Sequence, residues 1–148
     1  MNYTSIEQSK KLLKLGLNLE SADMSWHHKR VHYEISDTWN PQLSAYKDIT
    51  HPAENRLRET LNQEVLPCWS VGALLELIPK EIEYESNNYK DRYYFTIWHD
   101  RIYYIGHNRR HIPGCFDFTH ISYGEKRTLI EALIIMIEAL IKNGYIKK

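Results

Sequence analysis

The sequence predicts an α+β fold: an antiparallel meander sheet of three to five strands, packed by a long C-terminal helix and one or two shorter helices. Three observations lead there. Apolar residues at helical spacing crowd the stretch from Leu129 to Ile141. Period-two alternation runs through residues 81–107. Helix start and stop residues bracket two shorter segments near residues 5–16 and 70–79. The chain has 148 residues, 43% hydrophobic and 26% charged, which is the size and composition of one globular domain over 1–148. A chain of this length buries roughly 68–70% of its unfolded surface, so its core needs no disulfide or metal staple.

The first helix is announced by Thr4-x-x-Glu7 and Ser5-x-x-Gln8, two overlapping capping boxes. Ile6, Leu12, Leu13 and Leu17 outline its apolar stripe, and Gly16 stands where a left-handed residue ends a helix. Residues 17–24 read as an ordered loop. Val31, Tyr33 and Ile35 alternate with His32 and Glu34 as a half-buried strand would. Asn40-Pro41 reads as a turn, and Pro52 with Glu54, Leu57, Arg58 and Leu61 permits a short helix. Ser70 caps a helix over Val71–Ile78 that Pro79 stops, with Trp69 packing as an anchor before the cap.

Beyond Pro79 the pattern turns to strands. Ile82 and Tyr84 alternate with Glu81, Glu83 and Glu85, and Asn87-Asn88 makes a turn. His99-Asp100 is a two-residue hairpin loop between strands 92–98 and 101–107. Both faces of that hairpin are apolar or aromatic, so both must be covered by helices, loops or a second subunit. Pro113-Gly114 marks a loop over 108–119. Ser122-x-x-Glu125 is a capping box for a last helix reaching Asn143, about 28 Å long at 1.5 Å per residue. Gly144 ends it, and its apolar residues cover most of its circumference, which makes it the core element.

Charge and cysteine usage narrow the function classes. Nineteen Lys+Arg cancel nineteen Asp+Glu, which removes the general attraction to phosphate on which sequence-independent nucleic-acid binding depends. No apolar run is long enough to span a bilayer, and no signal-peptide pattern opens the chain, so a cytoplasmic protein with reduced Cys68 and Cys115 and no membrane partner is expected. No phosphate loop, dinucleotide fingerprint, nucleophile elbow or Cys-x-x-Cys occurs, so no cofactor is expected.

Several constellations merit weighing. His28/His32 and His107/His111 are each four apart, but neither pair falls in a helix, and on a strand that spacing separates imidazoles by about 13 Å. Cys115 with His111 or His120 would form a Cys–His dyad, though no flanking signature accompanies it. Glu81, Glu83 and Glu85 share one strand face, opposed across the turn by Lys90 and Arg92, as a solvent face would be. Arg101, His107, Arg109, Arg110 and His111 form a basic patch beside Trp98 and Tyr103, with Tyr93, Tyr94 and Tyr104 as further stacking faces. That combination serves single-stranded nucleic acid or a protein partner. No catalytic, cofactor or metal residue is assigned.

Three segments carry a resemblance. They are Ser9-x-x-Leu12-Leu13-x-Leu15-Gly16-Leu17 with Ser21-Ala22-Asp23-Met24, then Trp69-Ser70-x-Gly72-Ala73-Leu74-Leu75-Glu76-Leu77-Ile78-Pro79. The last is Glu131-Ala132-Leu133-x-x-Met136-Ile137-x-x-Leu140-Ile141-x-Asn143-Gly144-Tyr145-Ile146. Together they resemble a group of small uncharacterised bacterial, prophage-type proteins. The resemblance implies an α+β fold and a mobile-element setting, and it transfers no catalytic residue. The expectation is therefore a non-enzymatic accessory protein with a protein partner, self-associating through its surplus aromatic surface. Two alternatives stand beside it: a nucleic-acid module using the basic–aromatic patch, and a small metal- or Cys–His-dependent hydrolase.

Overall fold

The computed structural model describes residues 2–31, 34–42, 65–86, 89–106 and 121–147. The chain is α+β and falls into two compact units, Met1–Ala73 and Leu74–Lys148.

The first unit opens with α1 (Ile6–Lys14), and of the two candidate boxes it uses Ser5 and Gln8. Ser5 Oγ accepts from the Gln8 amide at 3.2 Å while Gln8 Oε1 accepts from the Ser5 amide at 2.9 Å. Gly16 closes the helix at φ +83°. The Gly16 amide bonds the Leu13 carbonyl at 3.0 Å and the Leu17 amide that of Leu12 at 3.2 Å, the paired bonds of a Schellman cap. A 3-10 turn, Leu19–Ser21, occupies part of the expected loop.

Strands β1 (Met24–Val31), β2 (Glu34–Gln42) and β3 (Val65–Cys68) form an antiparallel sheet in the order β2-β1-β3. This three-stranded sheet adds to the single meander expected. The Val31–Ile35 alternation spans the end of one strand and the start of the next; residues 32 and 33 between them lie outside the described residues. Asn40-Pro41 is not a turn: both residues pair within β2, opposite His27 and Trp26. Among the described strands β2 is an edge strand, the position in a sheet where proline, lacking an N–H, is tolerated. Pro67, opposite Ser25, lies likewise at the other edge, in β3. The short helix expected after Pro52 lies outside the described residues.

Register sorts the side chains. Met24 and Trp26 share a face with Cys68 and Leu66, their cross-strand partners, and Tyr3, Ile6 and Leu13 pack against that cluster. Tyr3 meets Trp26 edge-on at 5.7 Å. Thr4, fully buried, ties the N-terminal segment to β3. Its amide donates to the Trp69 carbonyl at 2.9 Å, and its carbonyl accepts from Trp26 Nε1 at 3.0 Å. Its hydroxyl accepts from the Trp69 amide at 3.0 Å and bonds Ser9 Oγ at 2.8 Å. Trp69 is buried as the expected anchor, its indole N–H donating to Ser21 Oγ at 2.9 Å. Ser70 caps α2 (Val71–Leu77) by accepting from the Ala73 amide at 3.2 Å, and Asp23 in turn accepts from both the amide and the hydroxyl of Ser70.

The second unit carries the expected meander: β4 (Glu81–Ser86), β5 (Tyr89–Trp98), β6 (Arg101–Gly106) and β7 (Ile121–Ser122), adjacent in chain order and all antiparallel. Ile82 pairs with Tyr93, Phe95 with Tyr104, and Ile102 with both Ile97 and Ile121, so these residues share one face. Most of that face is core: Ile82, Tyr93, Ile102, Tyr104 and Ile121 are buried. Helix α3 (Leu129–Lys142) packs on the sheet and buries nine of its fourteen residues, including Leu133, Met136, Ile137 and Leu140.

The helix is capped six residues later than Ser122-x-x-Glu125 implies. Gly124 sits at φ +124°, outside helical backbone, and its amide turns back to the Arg127 carbonyl at 2.6 Å. A second box, Thr128 with Glu131, supplies the cap instead, with bonds of 2.9 and 3.2 Å. The helix is thus about 21 Å long rather than 28 Å, at 1.5 Å per residue. Gly144, at φ +79°, ends it with a second Schellman cap: its amide bonds the Ile141 carbonyl at 3.1 Å, and the Tyr145 amide that of Leu140 at 2.8 Å. Among the described residues no helix is long and apolar enough to cross a membrane.

Two stability outcomes are expected. Leu133→Ala or Met136→Ala leaves a cavity in a fully buried site and lowers unfolding free energy by about 2–5 kcal/mol in urea titration. Thr4→Val, nearly isosteric, strands the Trp69 amide and costs about 1–3 kcal/mol in the same measurement.

Candidate functional site

The face of the β4–β7 sheet opposite its buried side is built rung by rung. Glu83 stands opposite Arg92, then Glu81 opposite Tyr94 with Ile105 beyond it. Thr96 stands opposite Tyr103, and Trp98 opposite Arg101 with Ser122 beyond it. One end of the face is therefore ionic, its middle aromatic and aliphatic, and its far end a Trp–Arg pair. Trp98 is 63% exposed and Tyr94 40%, while Thr96, Tyr103 and Ile105 are half-buried.

At the ionic end Arg92 reaches Glu83 at 3.2 Å and Glu81 at 3.7 Å, and Lys90 reaches Glu83 at 3.2 Å. Hydrogen bonds from Lys90 and then Arg92 hold the Glu83 carboxyl below its ordinary pKa, and the bond to Glu83 raises that of Arg92. Solvent exposure keeps each pair individually weak. Because the Glu83 pKa is depressed, its contribution is present at neutral pH and is lost as pH falls through the lowered value. The carboxylates Glu81 and Glu83 thus form the charge-balanced solvent face expected of them.

The Trp–Arg end is a rigid hairpin tip. His99 adopts the left-handed region at φ +51°, as the first residue of a tight two-residue loop favours. Trp98 meets the His99 ring edge-on at 5.0 Å. From the segment after β7, the Tyr123 amide donates to the Asp100 carbonyl at 2.7 Å and its phenol to the His99 carbonyl at 2.8 Å. Arg101 Nε lies 3.8 Å from Asp100. Beside the tip, Asp100, Ser122, Tyr123 and the 124–127 segment line an open depression of about 490 Å³. Charges of both signs border it, and among its described lining residues there is neither cysteine nor histidine.

Of the patch read from the sequence, the fold brings Trp98, Arg101 and Tyr103 together on two neighbouring rungs. His107, Arg109, Arg110 and His111 lie outside the described residues, as do Cys115 and His120. Two proposed stacking faces are core instead. Tyr93 is 3% exposed, and Tyr104 is fully buried, its phenol donating to the Pro79 carbonyl at 2.7 Å and pushed up in pKa by desolvation. Strand parity decides this: both sit opposite residues of the inner face.

Sequence reading passed over one polar pair. Ser25 and His27, two apart on β1, share a face, and Ser25 Oγ lies 2.8 Å from His27 Nε2. That is the geometry by which a histidine activates a serine. Both side chains are buried, Ser25 completely, so the pair satisfies buried polar atoms and offers no substrate access. Its only signal in the sequence is the Ser-x-His spacing within a strand. Cys68 is equally enclosed: burial pushes its thiol up to about 11 against the hydrogen bond from the Thr4 hydroxyl, so it is no nucleophile at neutral pH. Among the described residues no group of three or more His, Cys, Asp or Glu could hold a metal ion.

Two titrations check these assignments. By NMR the Glu83 carboxyl should titrate below an unfolded-chain glutamate, and Arg92→Ala should move it back up. In a Cys115→Ser chain, Cys68 should resist a thiol reagent near pH 8 until urea unfolds the protein.

No protein-family model matches this chain, and neither a curated protein nor a solved structure matches it, so what the face can do is read from its own chemistry.

Proposed function

We propose that this chain is a non-enzymatic interaction protein, an accessory factor in the mobile-element setting its sequence resemblance implies, and that it recognises a protein partner through the β5–β6 face around Trp98. One observation carries the reading: a tryptophan 63% exposed on a hairpin whose tip is already fixed by Tyr123. Leaving an indole in water forgoes about 1.5–3 kcal/mol of burial, and a pre-ordered loop has little entropy left to lose on binding. Tryptophan, tyrosine and arginine are also the side chains that dominate protein–protein contact energies, and Trp98, Tyr94, Tyr103 and Arg101 all belong to this face.

Charge favours protein over nucleic acid. Cations on the face have acids nearby: Arg92 and Lys90 have Glu83, and Arg101 has Asp100. At these three cations a phosphate backbone would find little uncompensated charge to replace its counterions.

Host-cell extracts passed over the wild-type chain and a Trp98→Ala chain provide the test. The wild type should retain a discrete protein that Trp98→Ala loses by about tenfold or more, with the melting midpoint unchanged because Trp98 is exposed. Identical retention by both chains would remove the reading. Retention of single-stranded DNA or RNA at low salt, released steeply as salt rises, would replace it with the nucleic-acid alternative.

A further inference from the structure

We infer that Asn143 is a site of spontaneous chemical modification, deamidation through attack by the Gly144 backbone nitrogen, and that the C-terminal cap of α3 holds it closed while the chain is folded. None of the reacting groups belongs to the Trp98 face.

Asn143 is the only asparagine in the chain followed by glycine. That pairing is the reactive one because glycine has no side chain to obstruct its own nitrogen. In the reaction the Gly144 nitrogen loses its proton and bonds to Asn143 Cγ. The Cγ–Nδ2 bond breaks, and Nδ2 takes up a proton and leaves as ammonia. The resulting five-membered succinimide then adds water at either of its carbonyls. Opening at one gives aspartate; opening at the other gives isoaspartate, in which the main chain runs through the side-chain carbon. Water is the only co-reactant.

Asn143 and Gly144 are both exposed, so exclusion of water is not what protects them. Geometry is. Asn143 Nδ2 donates to the Ala139 carbonyl at 2.8 Å, which turns the side-chain amide back along the helix and away from the nitrogen that must attack it. The Gly144 N–H is committed to the Ile141 carbonyl at 3.1 Å, and its backbone is fixed at φ +79°. The Tyr145 amide locks that turn onto the Leu140 carbonyl at 2.8 Å. Nucleophile and carbon meet only when this last turn opens, and helix ends open far more often than whole domains do.

Each opening that reacts is recorded irreversibly, because the product does not rebuild the cap. A carboxylate at position 143 has no N–H for Ala139 and sets a negative charge at the negative end of the helix. Isoaspartate also lengthens the main chain inside the turn that Gly144 closes. Since α3 buries nine residues, damage at its end weakens the element on which the second unit packs.

Peptide mapping by mass spectrometry on the full chain, incubated at about pH 8 with and without urea, follows conversion at residue 143. Unfolding should accelerate it about tenfold or more. Tyr145→Pro removes the amide bonded to Leu140 and leaves Asn143-Gly144 intact, so it should accelerate conversion without urea, in a variant that circular dichroism shows to be folded. Asn143→Asp, the product itself, should lower the melting midpoint by about 2–4 °C. Equal rates in the folded and unfolded chain, no conversion in urea, no response in a folded Tyr145→Pro chain, or an Asn143→Asp chain as stable as the wild type each overturn the inference. If Tyr145→Pro does not fold, the urea comparison decides alone.

Discussion

The first unit depends on the burial of one threonine. Thr4 sends its amide, carbonyl and hydroxyl to Trp69, Trp26, Ser9 and Cys68, and each of those groups is itself out of water. A buried polar group is tolerable only when satisfied, and here each partner satisfies the others. The segment before α1 is thereby stitched to the end of β3, where Ser70 begins α2. Asp23 completes the arrangement by holding both polar atoms of Ser70. Apolar contacts among Met24, Trp26, Leu66 and Cys68 supply the adhesion; the polar cluster selects one register for it.

The second unit is governed by oil rather than by polar pairing. Helix α3 has few polar positions, and its nine buried residues require a surface to cover them. The inner face of the meander provides that surface, through Ile82, Tyr93, Ile102, Tyr104 and Ile121. Once parity commits those residues inward, the alternate set is committed outward, aromatic or not. The exposure of Trp98 and Tyr94 is thus a consequence of how the core is built. It also separates the buried aromatics from the exposed ones, which composition alone cannot do.

Local signals were legible where one residue type does one job. Ser5, Gln8, Gly16, Ser70 and Gly144 each cap as their chemistry dictates, and the hairpin loop at His99-Asp100 falls where alternation places it. Errors arose where two local signals competed or where tertiary context overrode one. Ser122-Glu125 and Thr128-Glu131 both spell a capping box, and only the backbone of Gly124 discriminates between them. Asn40-Pro41 reads as a turn unless its strand is known to lie at a sheet edge. On the face, Trp98, Arg101 and Tyr103 were legible because strand period brings them together. The enclosed Ser25–His27 pair was not, because burial is a property of the packed chain and leaves little trace in three residues.

The prolines at the two margins of the β2-β1-β3 sheet carry a further consequence. A flanking strand grows into a fibril when an incoming chain can read its unspent amides in unbroken order. Pro41 and Pro67 each interrupt that order, one on each border, and Tyr3 already bridges to Ser70 beyond β3. Among the described strands, strand addition is thus blunted on both borders of the N-terminal sheet.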